Sequence, residues 1–145
     1  MKLVVDANEL FAGIIAKGKE LQSWTLDILF SDEVELFAPF RLLAELEKNR
    51  DEIRGKSGFS LRDFEAFVGI VKLRVNFIPL EQFLDKADEA KALAPHLKDV
   101  EYFALALKLG CPIWAQEKAF KKQSVVKVFS TSELLAFLSR IQTQT

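Results

Sequence analysis

The chain has 145 residues, half of them apolar, with 13 phenylalanines and a net charge of −1. This composition predicts one domain with a rich core and excludes a general electrostatic attraction to nucleic acid, so an RNA or DNA partner needs a local basic patch. We expect no signal peptide and no membrane contact, because no apolar run approaches the roughly 20 residues of a span. The single cysteine, Cys111, excludes an internal disulfide and fits a reducing, cytoplasmic location.

The first half of the chain alternates short apolar segments with segments of helical period. These segments predict strands at residues 3–5 and 34–38, and helices at residues 9–17, 20–31 and 40–54. Pro39 suits the first turn of the helix at 40–54, and the turn residues from Gly55 to Gly58 end it. Ser60 is placed to cap the next helix.

The second half continues this alternation. We predict strands at residues 75–78, 112–115 and 125–129, and helices at residues 80–93, 99–109 and 134–141. The helix at 99–109 is apolar nearly all round, and Gly110 closes it. The last helix opens with a capping box from Ser130 to Glu133.

Strands that alternate with helices predict parallel pairing through helical crossovers. We therefore predict a three-layer α/β/α fold with a mostly parallel sheet of four or five strands, as a single domain over residues 1–145. In such folds ligands bind at the carboxyl ends of the strands.

Three acidic residues stand where predicted strands end or helices begin. Asp6 follows the first strand, and a helix cap and a functional role are equally good explanations for it. Asp99 opens the buried helix, where a cap again suffices, and Glu101 competes with it for any functional role. Glu117 follows the strand at 112–115, although, taken alone, a surface glutamate in a loop is the better explanation for it.

The helix predicted at 40–54 carries two further candidates, Glu45 and Glu47. Each lies about 100° from the centre of the apolar face of this helix, on opposite flanks, so periodicity does not choose between them. For either one taken singly, a solvated flank residue near Lys48 and Arg50 is the better explanation. Carboxylates that converge at one sheet edge repel one another, and a divalent cation relieves that repulsion. Hard oxygen ligands favour Mg²⁺ or Mn²⁺.

Four segments share a pattern with a known family: LVVDANEL at 3–10, AELEK at 44–48, KDVEYFALALKLGCPIWAQEKAF at 98–120 and VVKVFSTSELL at 125–135. With these segments, the sequence resembles the PIN-domain family of metal-dependent ribonucleases. The resemblance implies a catalytic and metal-binding quartet formed by Asp6, Glu45, Asp99 and Glu117. It also implies that Asn8 steadies the first aspartate, and that Mg²⁺ or Mn²⁺ activates a water molecule for attack on single-stranded RNA.

The resemblance extends to possible partners. Family members are often toxins that form homodimers and are neutralised by an antitoxin peptide. Lys118 and Lys121 are candidates for holding the RNA backbone, and a solvated basic edge explains them equally well.

The last acidic loop departs from the family pattern, which usually has Ser or Thr, then Asn, then Asp, often followed by another acid two residues later. Here Ala115 opens the loop, Glu117 replaces the aspartate and Ala119 supplies no second acid. The sequence therefore also allows a second function, a PIN-like module that binds RNA or protein without cleaving it.

Overall fold

The computed structural model describes the backbone of residues 1–15 and 19–143. Side chains are described for residues 1–11 and 24–141. Five strands in these ranges form one sheet in the order β3-β2-β1-β4-β5, and every neighbouring pair is parallel. The strands are β1 Lys2–Val5, β2 Glu35–Pro39, β3 Val75–Ile78, β4 Ile113–Trp114 and β5 Val128–Phe129. The predicted parallel sheet is confirmed, with five strands.

Helices cover both faces of this sheet, which confirms the predicted three-layer fold. They are α1 Ala7–Ile15, α2 Lys19–Leu29, α3 Arg41–Lys48, α4 Arg50–Ser57, α5 Leu61–Arg74, α6 Ala87–Leu93, α7 Val100–Leu109 and α8 Thr131–Thr143. The end of the first predicted helix, at residue 17, lies outside the described residues. In the described part of the chain, no helix is long and apolar enough to cross a bilayer.

The single helix predicted at 40–54 is wrong, because Pro39 belongs to β2 and Asn49 divides the segment into α3 and α4. Pro39 is the last residue of its strand, where a missing N–H does not interrupt the ladder. At Asn49 the backbone leaves α-helical geometry, with φ −99° and ψ 11°. The Glu45 carbonyl oxygen accepts both the Asn49 side-chain amide at 2.8 Å and the Asn49 backbone N–H at 3.0 Å. Helix α4 passes Gly55 and ends at Gly58, whose φ of 77° favours glycine.

The helix predicted at 80–93 is also wrong over its first half. Two 3₁₀ turns, Leu80–Gln82 and Leu84–Lys86, precede the short helix α6. Phe83 between them is fully buried, whereas the flanking Leu80 and Leu84 are exposed. An α-helix needs a continuous apolar face to pack, and one buried residue does not provide it.

The last two strands are shorter than predicted, at Ile113–Trp114 and Val128–Phe129. For β5 the reason is that Gln123 binds the backbone that precedes the strand. Its side-chain amide donates to the carbonyls of Phe120 and Val126 at 2.8 and 2.7 Å. Its side-chain oxygen accepts from the N–H groups of Val125 and Val126 at 2.9 and 2.8 Å. The backbone around Val125 is therefore held in a turn, and that side chain is exposed.

Both predicted helix starts with serine caps are confirmed. Ser60 and Asp63 form a capping box at α5. At α8 the Ser130 hydroxyl accepts from the N–H of Glu133 at 3.2 Å, and the Glu133 carboxylate accepts from the N–H of Ser130 at 3.1 Å. Helix α7 is buried from Tyr102 to Ala106, as its apolar sequence predicts.

Candidate active site

A cleft of about 440 Å³ opens at the carboxyl end of β1. Three of the four acids of the predicted quartet line it: Asp6, Glu45 and Asp99. They come from the turn after β1, the middle of α3 and the start of α7. The parallel sheet therefore brings together residues that are far apart in sequence, at the edge where such folds bind ligands.

Asp6 is the most buried of these acids, with 2% of its surface exposed. Its backbone N–H donates to the Trp114 carbonyl at 3.1 Å, and its carbonyl receives the Glu9 N–H at 3.0 Å. Its side-chain Oδ2 atom is buried without a hydrogen-bond partner. Burial raises the pKa of Asp6 to about 7, and the negative charges of Asp99, Glu45 and Glu9 contribute in the same direction.

Asp99 is 4% exposed and immediately precedes α7, yet its side chain makes no capping hydrogen bond. The capping explanation for this acid is therefore wrong. Burial raises its pKa, and the charge of Glu117 adds to that effect, whereas Lys98 and His96 lower it. An uncapped, buried carboxylate beside other acids is an unfavourable arrangement without a bound cation.

Glu45 lies on the side of α3 that faces the cleft, whereas Glu47 lies at a separate groove against α5. The Tyr102 hydroxyl donates to Glu45 Oε1 at 3.3 Å, and Arg41 Nε donates to the same oxygen at 3.1 Å. Burial raises the pKa of Glu45, and Arg41 and Tyr102 oppose the rise. Glu101, the competitor of Asp99, binds Arg41 at 3.1 Å instead.

The predicted residues around β4 and its loop lie further out. Glu117 and Lys118 are exposed and do not line the cleft, and Lys121 forms an ion pair with Glu133. Asn8 does line the cleft and is exposed, and no hydrogen bond among the described residues joins it to Asp6.

Glu9 was not predicted as a site residue from the sequence, yet it is 3% exposed and belongs to a buried polar chain. The Trp114 indole N–H donates to Thr131 Oγ1 at 3.0 Å, and the Thr131 hydroxyl donates to Glu9 Oε1. The second carboxylate oxygen of Glu9 has no partner, and burial raises the pKa of this residue. The available signal was its position three residues after Asp6, which places both acids on one face of the turn into α1.

Three basic side chains of the cleft, Arg41, Lys48 and Lys98, were also missed. They surround the acids with positive charge, although the whole chain is slightly acidic. Because the net charge gives no general attraction to nucleic acid, a nucleic-acid site on this protein needs a local basic patch, and these three side chains provide one at the cleft.

Comparison with known families decides the classification. A family model described as "PIN domain" matches residues 4–139. The chain belongs to the PIN-domain family. No curated protein matches the sequence of this PIN domain. Its fold is similar to the crystal structure of VapBC2 from Rickettsia felis bound to a DNA fragment from their promoter, with a TM-score of 0.62. The match covers 90% of this chain and 98% of that chain at 15% identity, so it concerns the fold.

Proposed function

We propose that this PIN domain is a metal-dependent endoribonuclease that hydrolyses phosphodiester bonds of single-stranded RNA. Asp6, Glu45, Asp99 and Glu117 are the proposed ligands of Mg²⁺ or Mn²⁺. The observation that carries the proposal is the buried, partnerless Oδ2 atom of Asp6, beside two further acids whose pKa values are also raised. Family membership supplies the reaction class.

The donor chemistry of the cleft fits a hard divalent cation, because every proposed ligand is a carboxylate oxygen. Within the described ranges, no three carboxylate, imidazole or thiol side chains are already arranged around one point. Glu45 is held by Arg41 and Tyr102, and Glu117 is exposed, so these two side chains have to turn toward Asp6 and Asp99. When bound, the ion supplies an activated water molecule and neutralises charge on the phosphate.

The remaining residues of the cleft would bind and orient the substrate. Lys48 and Lys98 are exposed at the rim and suit phosphate oxygens. Tyr102 orients Glu45 through its hydroxyl, and Asn8 lines the cleft with an exposed side chain. Lys118 is free to contact RNA beyond the cleft, whereas Lys121 would first have to leave Glu133.

A cleavage assay on labelled single-stranded RNA tests this function. We expect cleavage by the wild type with Mn²⁺, and at least about a hundredfold loss in Asp6→Asn or after chelation, because catalytic charge stabilisation is removed. Asp27→Asn, which changes an exposed aspartate of α2, is the matched control and should cleave like the wild type. Cleavage that survives both Asp6→Asn and the chelator would contradict the proposal.

One observation favours the second function, an RNA- or protein-binding module that does not cleave. Glu117 is exposed and outside the lining of the cleft, and neither Ala115 nor Ala119 supplies another acid. If the wild type binds RNA but does not cleave it with either metal, the binding module is the correct description.

A toxin role, a homodimer and an antitoxin peptide stay predictions that the family resemblance implies. The similar structure is a VapBC2 assembly on promoter DNA, which supports a search for a partner chain. Co-expression with the product of an adjacent small reading frame, followed by co-purification, is the direct way to find one.

A further inference from the structure

Arg41, the first residue of α3, holds two carboxylates of the cleft at once. Its Nε atom donates to Glu45 Oε1 and its Nη1 atom donates to Glu101 Oε2, both at 3.1 Å. The side chain of Arg41 remains 39% exposed, and those of the two glutamates are 27% and 26% exposed. The guanidinium is therefore engaged but has room to move.

This arrangement conflicts with the proposed use of Glu45 as a metal ligand. Glu45 Oε1 already accepts hydrogen bonds from Arg41 and from the Tyr102 hydroxyl. An arginine does not lose its proton in a protein, so its positive charge persists when a cation arrives. A divalent cation at Glu45 would repel the guanidinium and compete with it for the same oxygen.

We propose that Arg41 is an exchangeable counter-ion that occupies Glu45 in the metal-free protein and binds an RNA phosphate when the cation is loaded. This inference rests on the proposed metal-dependent ribonuclease function. The planar guanidinium fork binds carboxylate and phosphate with the same two-pronged geometry, so one group serves both states. Glu101 lies 60 residues away from Arg41 in sequence and gives it a second attachment that does not depend on Glu45. It therefore keeps the guanidinium at the cleft after Glu45 is released.

If this exchange occurs, Arg41→Gln should strengthen Mn²⁺ binding and weaken RNA binding. In Arg41→Gln the cation no longer competes with a guanidinium, and Mn²⁺ should bind about two- to fivefold more tightly, as expected for a partly exposed ion pair. The same variant should bind RNA roughly tenfold more weakly in the presence of Mn²⁺, because a charge-assisted hydrogen bond to phosphate is lost. Lys48→Gln is the matched control, since Lys48 lines the same cleft and forms no ion pair among the described residues. It should weaken RNA binding and raise the Mn²⁺ affinity by less than Arg41→Gln does, because Lys48 does not occupy a proposed ligand.

Mn²⁺ affinity is measured by titration calorimetry, and RNA affinity by stopped-flow anisotropy of a fluorescent single strand, read before cleavage proceeds. Circular dichroism checks that each variant is folded. Mn²⁺ binding that is unchanged or weaker in Arg41→Gln would overturn the exchange while leaving the nuclease proposal intact. So would an equal loss of RNA affinity with and without Mn²⁺. A wild type that takes up no Mn²⁺ would overturn both proposals.

Discussion

Asp6→Asn should unfold at a higher urea concentration than the wild type at pH 8, although it removes the proposed central ligand. The pKa of Asp6 rises from 3.8 to about 7 in the folded protein, so the ionised carboxylate is disfavoured by burial and by neighbouring charges. Each pKa unit corresponds to ~1.4 kcal/mol, which gives an upper limit of about 4 kcal/mol for the gain. An amide of the same shape carries no charge and avoids this penalty.

The dependence on pH follows from the direction of the shift. A carboxyl whose pKa is raised by folding contributes its full stability below the unfolded value of 3.8, and that stability is lost as the pH rises toward about 7. The difference in unfolding free energy between Asp6→Asn and the wild type should therefore grow between pH 4 and 7 and level off above. It is measured by urea denaturation with chelator present. Asp27→Asn provides the control, and a destabilised Asp6→Asn at pH 8 would contradict the account.

Thr131→Val should strongly destabilise the protein, because it breaks a buried polar chain outside the cleft. The indole N–H of Trp114 can only donate, so the Thr131 hydroxyl must accept from it and give its own proton to Glu9. Valine has the same shape but removes the acceptor of the Trp114 indole and one hydrogen-bond donor of Glu9, at about 1–3 kcal/mol for each. We expect a total loss of roughly 2–6 kcal/mol in the free energy of unfolding.

Thr131→Ser is the matched variant, since it keeps the hydroxyl and removes only a methyl group. It should retain most of the stability that Thr131→Val loses. The indole proton of Trp114 reports the same bond by NMR and should shift in Thr131→Val but stay near its wild-type position in Thr131→Ser. Equal unfolding free energies for Thr131→Val and the wild type would show that the hydrogen bonds of Thr131 with Trp114 and Glu9 do not stabilise the folded protein.

The fold was predictable because its signals are local. The apolar strand at residues 3–5 and the capping boxes at Ser60 and Ser130 depend on neighbours in sequence, and the structure confirms them. The break at Asn49 was not predictable from period alone, since the apolar arc continues through it. It lies at a single residue whose backbone leaves helical geometry and whose side-chain amide shares the Glu45 carbonyl with its own backbone N–H.

The site was predictable only in part. That Asp6 and Asp99 lie in one cleft was expected, because strand ends and helix starts converge in a parallel sheet. Periodicity did not choose between Glu45 and Glu47, the family resemblance favoured Glu45, and the orientation of α3 brings Glu45 to the cleft. Glu9 acquires its environment from a residue 122 positions away, and no local pattern contains that information.

The most direct test of the account is calorimetric titration of Mn²⁺ into the wild type and Asp6→Asn at pH 8. We predict saturable binding to the wild type and none to Asp6→Asn. Because that variant should be at least as stable as the wild type, loss of binding cannot be ascribed to unfolding. Asp99→Asn should weaken binding as well, since its carboxylate lies in the same cleft. No uptake by the wild type, or undiminished uptake by Asp6→Asn, would contradict the claim that these buried acids form a metal site.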